Sequence, residues 1–253
     1  MKLSEISILA QEFDQQLPEA PSVTLLQNGA AIAAWIDHTL LKAEAIPAQI
    51  DQLCQEARQY HFASVCVNPV YVPMCASLLA GSDVKVCTVV GFPLGATSAE
   101  IKTAETKWAV SQGASEIDMV IPVGLLKGGN PQAVYDHVLA VCEAAHSANA
   151  LVKVILEMTY LTRLEKITAC LLCQAAGAEF VKTSTGFGPS GATTEDVALM
   201  RAVVGARTGV KAAGGVRNYS DALAMIRAGA TRLGTSAGLK IIQEALASER
   251  LTP

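Results

Sequence analysis

An alternation constrains this chain more than any other feature. From residue 35 onward, eight short runs rich in β-branched residues are separated by longer amphipathic stretches. The runs are Trp35–Leu41, Ser64–Asn68, Val84–Val90, Glu116–Pro122, Leu151–Met158, Phe180–Ser184, Val210–Ala213 and Thr231–Gly234. Helical patterns lie between them over Pro47–Tyr60, Thr97–Gln112, Pro131–Ser147, Arg163–Ala176, Thr194–Val204 and Ser220–Ala228, with another at Leu239–Ala247. Gly-Ala pairs close several of these (Gly113-Ala114, Gly177-Ala178, Gly229-Ala230), and glycine permits the left-handed conformation that ends a helix. Eight such units in 253 residues predict an α/β protein built as one (β/α)8 TIM barrel. The alternative, a doubly wound open sheet, usually carries a Gly-rich first turn, and no G-x-G-x-x-G follows the first run. Residues 1–34 fall outside the alternation. They read as an N-terminal helical extension broken at Leu17-Pro18-Glu19-Ala20-Pro21, leaving 35–253 as the barrel domain.

Composition agrees with a large aliphatic core. Apolar residues make up 51% of the chain and aromatics only 5%, so Val, Ile, Leu and Ala must fill it, as in parallel strands covered on both faces. The net charge is −4 and there is no basic run, which removes the electrostatic footprint of a nucleic-acid or membrane-surface binder. An anionic ligand must then be held by local groups. No run reaches the ~18 apolar residues of a membrane span, and Glu5, Glu12 and Asp14 interrupt the first apolar stretch, unlike a secretory leader. Seven cysteines, an odd number scattered through apolar stretches, suit a reducing cytoplasm better than a disulfide framework. Cys170 and Cys173 form a lone C-x-x-C in a helical pattern.

Charges inside strands are costly in a closed barrel unless they are paired or functional. This chain has Asp37, Lys85, Asp118, Lys153, Glu157, Lys182 and Lys211 in or beside its runs. Lys182 and Lys211 occupy equivalent places on the sixth and seventh strands, each followed within four residues by glycine. That sets both near the C-terminal strand ends, the catalytic face of barrels. Two neighbouring ammonium groups disfavour each other's charged form, and a neutral amine attacks a carbonyl to form a Schiff base. Asp118 is placed to move protons and to hold the second lysine charged. Structural salt bridges at the rim are the plainer reading, and periodicity does not choose between Lys182 and Lys211.

The seventh and eighth runs lead into Ala213-Gly214-Gly215-Val216 and Gly234-Thr235-Ser236-Ala237-Gly238, with Thr185-Gly186 after the sixth. Loops at those strands often cradle phosphate, their N–H groups and a following helix N-terminus facing the anion. The histidines, His38, His61, His137 and His146, show no metal-ligand spacing, and no G-x-S-x-G is present. No metal or cofactor is expected. Three of these histidines read as surface or packing residues, and His38, beside Asp37, as a hydrogen-bonding neighbour of the site. Cys66 is expected to line the pocket from the second strand.

The segments IDHTLLK, SVCVNP, EIDMVIPVG, FVKTSTGF, VKAAGGVR and LGTSAG, in that order from about residue 35 to 247, resemble the deoxyribose-phosphate aldolases. The resemblance implies a class I aldolase, a lyase of carbohydrate and deoxyribonucleotide catabolism. It would reversibly cleave 2-deoxy-D-ribose 5-phosphate to D-glyceraldehyde 3-phosphate and acetaldehyde. Lys182 is then the Schiff-base lysine, Lys211 the neighbour that favours its neutral form, and Asp118 the proton-transfer carboxylate. Asp37 and Thr39 fall around the substrate hydroxyls, and Gly186, Gly214, Gly215 and Ser236 at the phosphate, with Cys66, Thr185 and Gly234 as further substrate-binding positions. The chain departs from some members at Phe187, where they have a lysine, and at Ala237, where they have a second serine. The implied partner is a phosphorylated sugar, with a homo-oligomer (dimer or tetramer) as a further expectation. Two other readings stay open: a Schiff-base aldolase acting on pyruvate or a ketose phosphate, and a barrel that carries a phosphate-containing ligand such as pyridoxal phosphate.

Overall fold

The computed structural model describes residues 3–22 and 29–250. The rest of the expected N-terminal segment (1, 2 and 23–28) and residues 251–253 lie outside the described residues. The strands are β1 (Ile36–Leu40), β2 (Ser64–Val67), β3 (Lys85–Val90), β4 (Glu116–Val120), β5 (Leu151–Ile155), β6 (Phe180–Lys182), β7 (Gly209–Ala213) and β8 (Arg232–Thr235). All pair in parallel, and β8 returns to β1 to close the barrel. Each strand falls on an expected run, trimmed or shifted at its ends.

Helices cover the outside: α1 (Leu3–Gln15), α2 (Pro47–Tyr60), α3 (Val72–Leu78), α4 (Ala99–Ser111), α5 (Val123–Lys127) and α6 (Pro131–His146). They continue with α7 (Arg163–Ala175), α8 (Thr194–Val204), α9 (Tyr219–Arg227) and α10 (Gly238–Arg250). Local chemistry sets their starts. Ser98, Asn130, Thr162, Thr193 and Asn218 cap free N–H groups with side-chain oxygens, and Thr162 with Glu165 completes a capping box. The sequence reading passed over α3, a seven-residue helix with Pro73 in its first turn, too short to display helical periodicity. No helix among the described residues is long and apolar enough to cross a membrane.

Two-residue periodicity sorts each strand into two faces. Outward residues such as Ile36, Val65, Ile117, Met119, Val152, Val181, Val210 and Leu233 pack under the helices in one aliphatic core. Ile6 and Ala10 of α1 join that core, and Asp14 pairs with Arg163 of α7 at 3.1 Å. The N-terminal helix therefore lies on the outer wall. The stretch Ala30–Trp35 forms a 3-10 turn leading into β1, with Ile32 buried. The barrel interior differs from the aliphatic filling that composition suggested. Beside apolar residues such as Leu41, Cys66, Cys87 and Val89, its inward positions include the charged Asp37, Glu116, Asp118, Lys153, Lys182, Lys211 and Arg232.

Candidate active site

The site is built on strand register. Lys182 of β6 stands directly opposite Lys211 of β7, and Asp118 of β4 opposite Lys153 of β5. All four side chains point inward and converge on the Asp118 carboxylate. Its Oδ2 accepts from Lys182 Nζ at 2.7 Å and from Lys211 Nζ at 2.6 Å. Its Oδ1 accepts from Lys153 Nζ at 2.9 Å and from the Cys87 thiol at 3.2 Å.

Below this lies a second tier. Lys211 reaches Asp37 Oδ2 at 2.5 Å, Lys153 reaches Glu116 at 2.6 Å, and Arg232 binds Asp37 Oδ1 at 2.6 Å. The Ser64 hydroxyl donates to the same Asp37 oxygen at 2.7 Å. Arg232 also sits over the Phe180 ring, 5.4 Å from its centre. Burial alone would neutralise these groups, but opposite charges outweigh it. Burial favours protonation of Asp118, yet Lys153, Lys182 and Lys211 hold its carboxyl well below the usual range. Burial likewise favours a neutral Lys211, and Asp118 and Asp37 hold it charged well above the ordinary lysine value. Lys153 is held charged in the same way.

Three carboxylates (Asp37, Glu116, Asp118) thus face four basic groups (Lys153, Lys182, Lys211, Arg232). The cluster balances when one amine is neutral. Of the two lysines that share Asp118 Oδ2, only Lys182 lines the cavity above, and Lys211 is sealed beneath.

That cavity, of about 310 Å³, opens at the C-terminal ends of the strands. Eight of the expected residues line it: Lys182, Thr39, Thr185, Gly186, Gly214, Gly215, Gly234 and Ser236. Gly186, Gly214 and Gly215 all have φ of +85°, a backbone that turns N–H groups toward a ligand and that side chains resist. Gly234 has another purpose. A Cβ there would stand 2.9 Å from Lys211 Cε and 3.0 Å from Ala213 Cβ, so its missing side chain makes room for the lysine. The N-terminus of α10 follows Ser236 directly, adding the positive end of a helix dipole.

Several expected residues lie elsewhere. Asp37 is wholly buried in the lower tier and anchors Lys211 and Arg232 rather than facing the cavity. Cys66 is also fully buried, packed in the inner patch beside Cys87 rather than lining the cavity. His38 points outward from β1 and bonds Glu56 of α2 at 2.7 Å; burial lowers its pKa, so it is a neutral wall residue. His137 is buried and bonds Lys102 at 3.3 Å. Cys170 and Cys173 are buried, their thiols held protonated by burial, that of Cys170 pushed up to about 12, which disables them as redox or metal groups. Cys66, Cys87 and Asp118 bring ligand atoms within 4.8 Å of one another, but three lysine side chains already occupy the Asp118 oxygens, so the set does not suit a metal cation.

Sequence reading missed other residues. Glu157 was visible as a charge near the end of the fifth run, without a role. Here it adopts φ +54° and accepts from the Thr185 N–H at 3.2 Å and from the Thr185 hydroxyl. It thereby ties the loop after β5 to the loop after β6, at a backbone conformation that costs a non-glycine residue energy. Glu116, Cys87 and Arg232 complete the ionic floor, and the signal for them was their inward phase on each strand. Lys42 and Arg217 also line the cavity.

Comparison with known proteins gives a consistent set of likenesses. The model of the DeoC/LacD family aldolases matches residues 31–244. A deoxyribose-phosphate aldolase of Streptococcus uberis is 64% identical over 211 residues, covering 83% of this chain and 95% of its own. One from Carboxydothermus hydrogenoformans is 56% identical over 224 residues, covering 88% and 98%. Among solved structures, a tetrameric deoxyribose phosphate aldolase of Aeropyrum pernix superposes with a TM-score of 0.81 at 31% identity, covering the whole of both chains.

Proposed function

Since the chain belongs to the DeoC/LacD aldolase family, we propose that Lys182 forms the Schiff base of a deoxyribose-phosphate aldolase, with Asp118 and Lys211 moving its protons. The reaction is the reversible cleavage of 2-deoxy-D-ribose 5-phosphate to D-glyceraldehyde 3-phosphate and acetaldehyde. The reading is carried by one observation: Lys182 and Lys211 share Asp118 Oδ2, and only Lys182 faces the cavity.

In the synthetic direction, neutral Lys182 attacks the acetaldehyde carbonyl. The carbinolamine loses water to give an iminium ion, which draws electrons from the adjacent carbon and lowers the barrier to its deprotonation. Asp118, 2.7 Å from the nitrogen, is within proton-transfer reach. The enamine carbon then attacks the aldehyde of glyceraldehyde 3-phosphate, whose new alkoxide takes a proton. Water hydrolyses the product iminium and frees Lys182. Lys211 rests as a cation and regains within the cycle any proton it passes to Asp118. It holds Asp118 in place and supplies positive potential where the alkoxide develops. Thr39 and Thr185 offer hydroxyls to the sugar chain, and the glycine loops after β6 and β7 with Ser236 receive the phosphate.

Borohydride trapping with acetaldehyde, followed by peptide mapping, tests this assignment. A reduced two-carbon adduct on Lys182 is expected. An adduct on Lys211 alone would reverse the two roles, and no adduct on folded protein would remove the Schiff-base chemistry. A homo-oligomer in the cytoplasm belongs to the same reading. The tetramer described for the Aeropyrum pernix protein and the free cysteines of this chain support it, and light scattering at working concentration tests the assembly.

A further inference from the structure

The cavity has an uneven distribution of charge. Among the described residues, two cationic side chains, Lys42 and Arg217, line it beside the Lys182 nitrogen, and no carboxylate does. Lys182 is committed to Asp118. Lys42 and Arg217 are exposed at the rim, and among the described residues neither side chain has an ion-pair or hydrogen-bond partner.

Their places in the barrel are informative. Around the rim the order is β6, β7, β8, β1. The loop after β6 contributes Phe187, an apolar wall packed edge-to-face on Phe92 at 5.3 Å. Arg217 follows the glycine pair after β7, and Lys42 follows β1. The two free cations therefore flank the loop after β8, which holds Ser236 and the start of α10. An anion held by those loops has Lys42 on one side, Arg217 on the other, and the uncharged Phe187 wall beyond Arg217.

We propose that Lys42 is a specificity-determining residue of this site. With Arg217 opposite, it selects a phosphate monoester dianion over the unphosphorylated sugar. This inference rests on the aldolase reading for where the substrate lies. A phosphate monoester carries nearly two negative charges at pH 7, and an exposed ammonium at the mouth both draws it in and holds it. Such a contact is equally strong in ground and transition states, so it acts on KM.

The test compares 2-deoxy-D-ribose 5-phosphate with 2-deoxy-D-ribose in the wild type, Lys42→Met and Lys42→Arg, alongside calorimetric titration with inorganic phosphate. Lys42→Met is expected to lower the ratio of kcat/KM for the two sugars about tenfold, chiefly through KM, as befits the loss of one exposed charge. It should weaken inorganic phosphate binding and flatten the salt dependence of kcat/KM for the phosphorylated sugar. Lys42→Arg should restore most of both. An unchanged ratio with unchanged phosphate binding overturns the proposal, as does an equal loss on both sugars. If the wild type cleaves neither sugar yet binds phosphate in a Lys42-dependent way, the aldolase reading fails while the recognition role of Lys42 stands.

Discussion

Lys182 and Lys211 are register partners on adjacent strands, and both ammonium nitrogens donate to a single oxygen, Asp118 Oδ2, at 2.7 and 2.6 Å. The two are not equivalent. Lys211 has a second carboxylate, Asp37, at 2.5 Å and no access to the cavity, whereas Lys182 opens onto it. Lys211 is thus held as a cation, and Lys182 is the one of the two that a molecule in the cavity can reach.

Replacing Lys182 by Met should abolish the aldol reaction, by at least ~10³-fold in kcat/KM, without unfolding the barrel. A coupled assay for acetaldehyde release, with circular dichroism as the folding control, checks this. Residual turnover near wild type would transfer the nucleophile's role to another amine.

Asp37 makes the ionic floor a pH-dependent source of stability. Burial raises its pKa, but Lys211, Lys153 and Arg232 outweigh that and hold it far below the usual value. A depressed carboxyl stabilises the fold above its unfolded pKa, near 3.9, and the contribution is lost as pH falls through the lower folded value. Asp37→Asn should therefore cost about 3–5 kcal/mol at pH 7, because it strands buried cations. The deficit should shrink below about pH 4, as the wild type loses its advantage. Urea unfolding at a series of pH values measures it.

Lys102 gives a pH dependence of the same sign, in an alkaline window. It is fully buried, donates to the Val120 carbonyl at 2.8 Å, and has no carboxylate among its hydrogen-bond or ion-pair partners. Burial pushes its pKa down to about 8. Between that value and the unfolded value near 10.4, the unfolded chain binds more protons, so wild-type stability relative to Lys102→Met should rise with pH. The span corresponds to roughly 2–3 kcal/mol. A stability difference that stays flat from pH 7 to 10 would mean that Lys102 keeps its charge in the folded protein across that range, its pKa not lowered by burial.

Gly234→Ala tests the steric demand of the lower tier. The added methyl meets Lys211 Cε and Ala213 Cβ at or below 3.0 Å, so Lys211 must shift away from Asp118. Steady-state kinetics should show kcat reduced about ten- to a hundredfold, with the thermal midpoint changed by only a few degrees. A lowered midpoint with unchanged kcat would assign Gly234 to packing alone.

The sequence by itself determined the number of strands and the two lysines on neighbouring strands. These follow from alternation, from β-branched runs and from the cost of placing charge in a strand, all of which are local signals. It also marked the glycine loops, because glycine adopts positive φ without the strain a side chain adds. Tertiary structure decided which charges meet. Asp37 looked like a substrate contact and became an anchor for Lys211, since the register of β1 with β8 sets it beside Arg232. Glu116 and Arg232 showed only an inward phase, and closure of the barrel then brought β4 and β8 across the same interior to pair them. Cys66 fell below the cavity, and Lys42 rose to its rim, because strand tilt and loop path fix height along the barrel axis. Chain periodicity specifies the face of a strand on which a residue lies but not its depth, and in this site depth separates a buried charge from a reactive one.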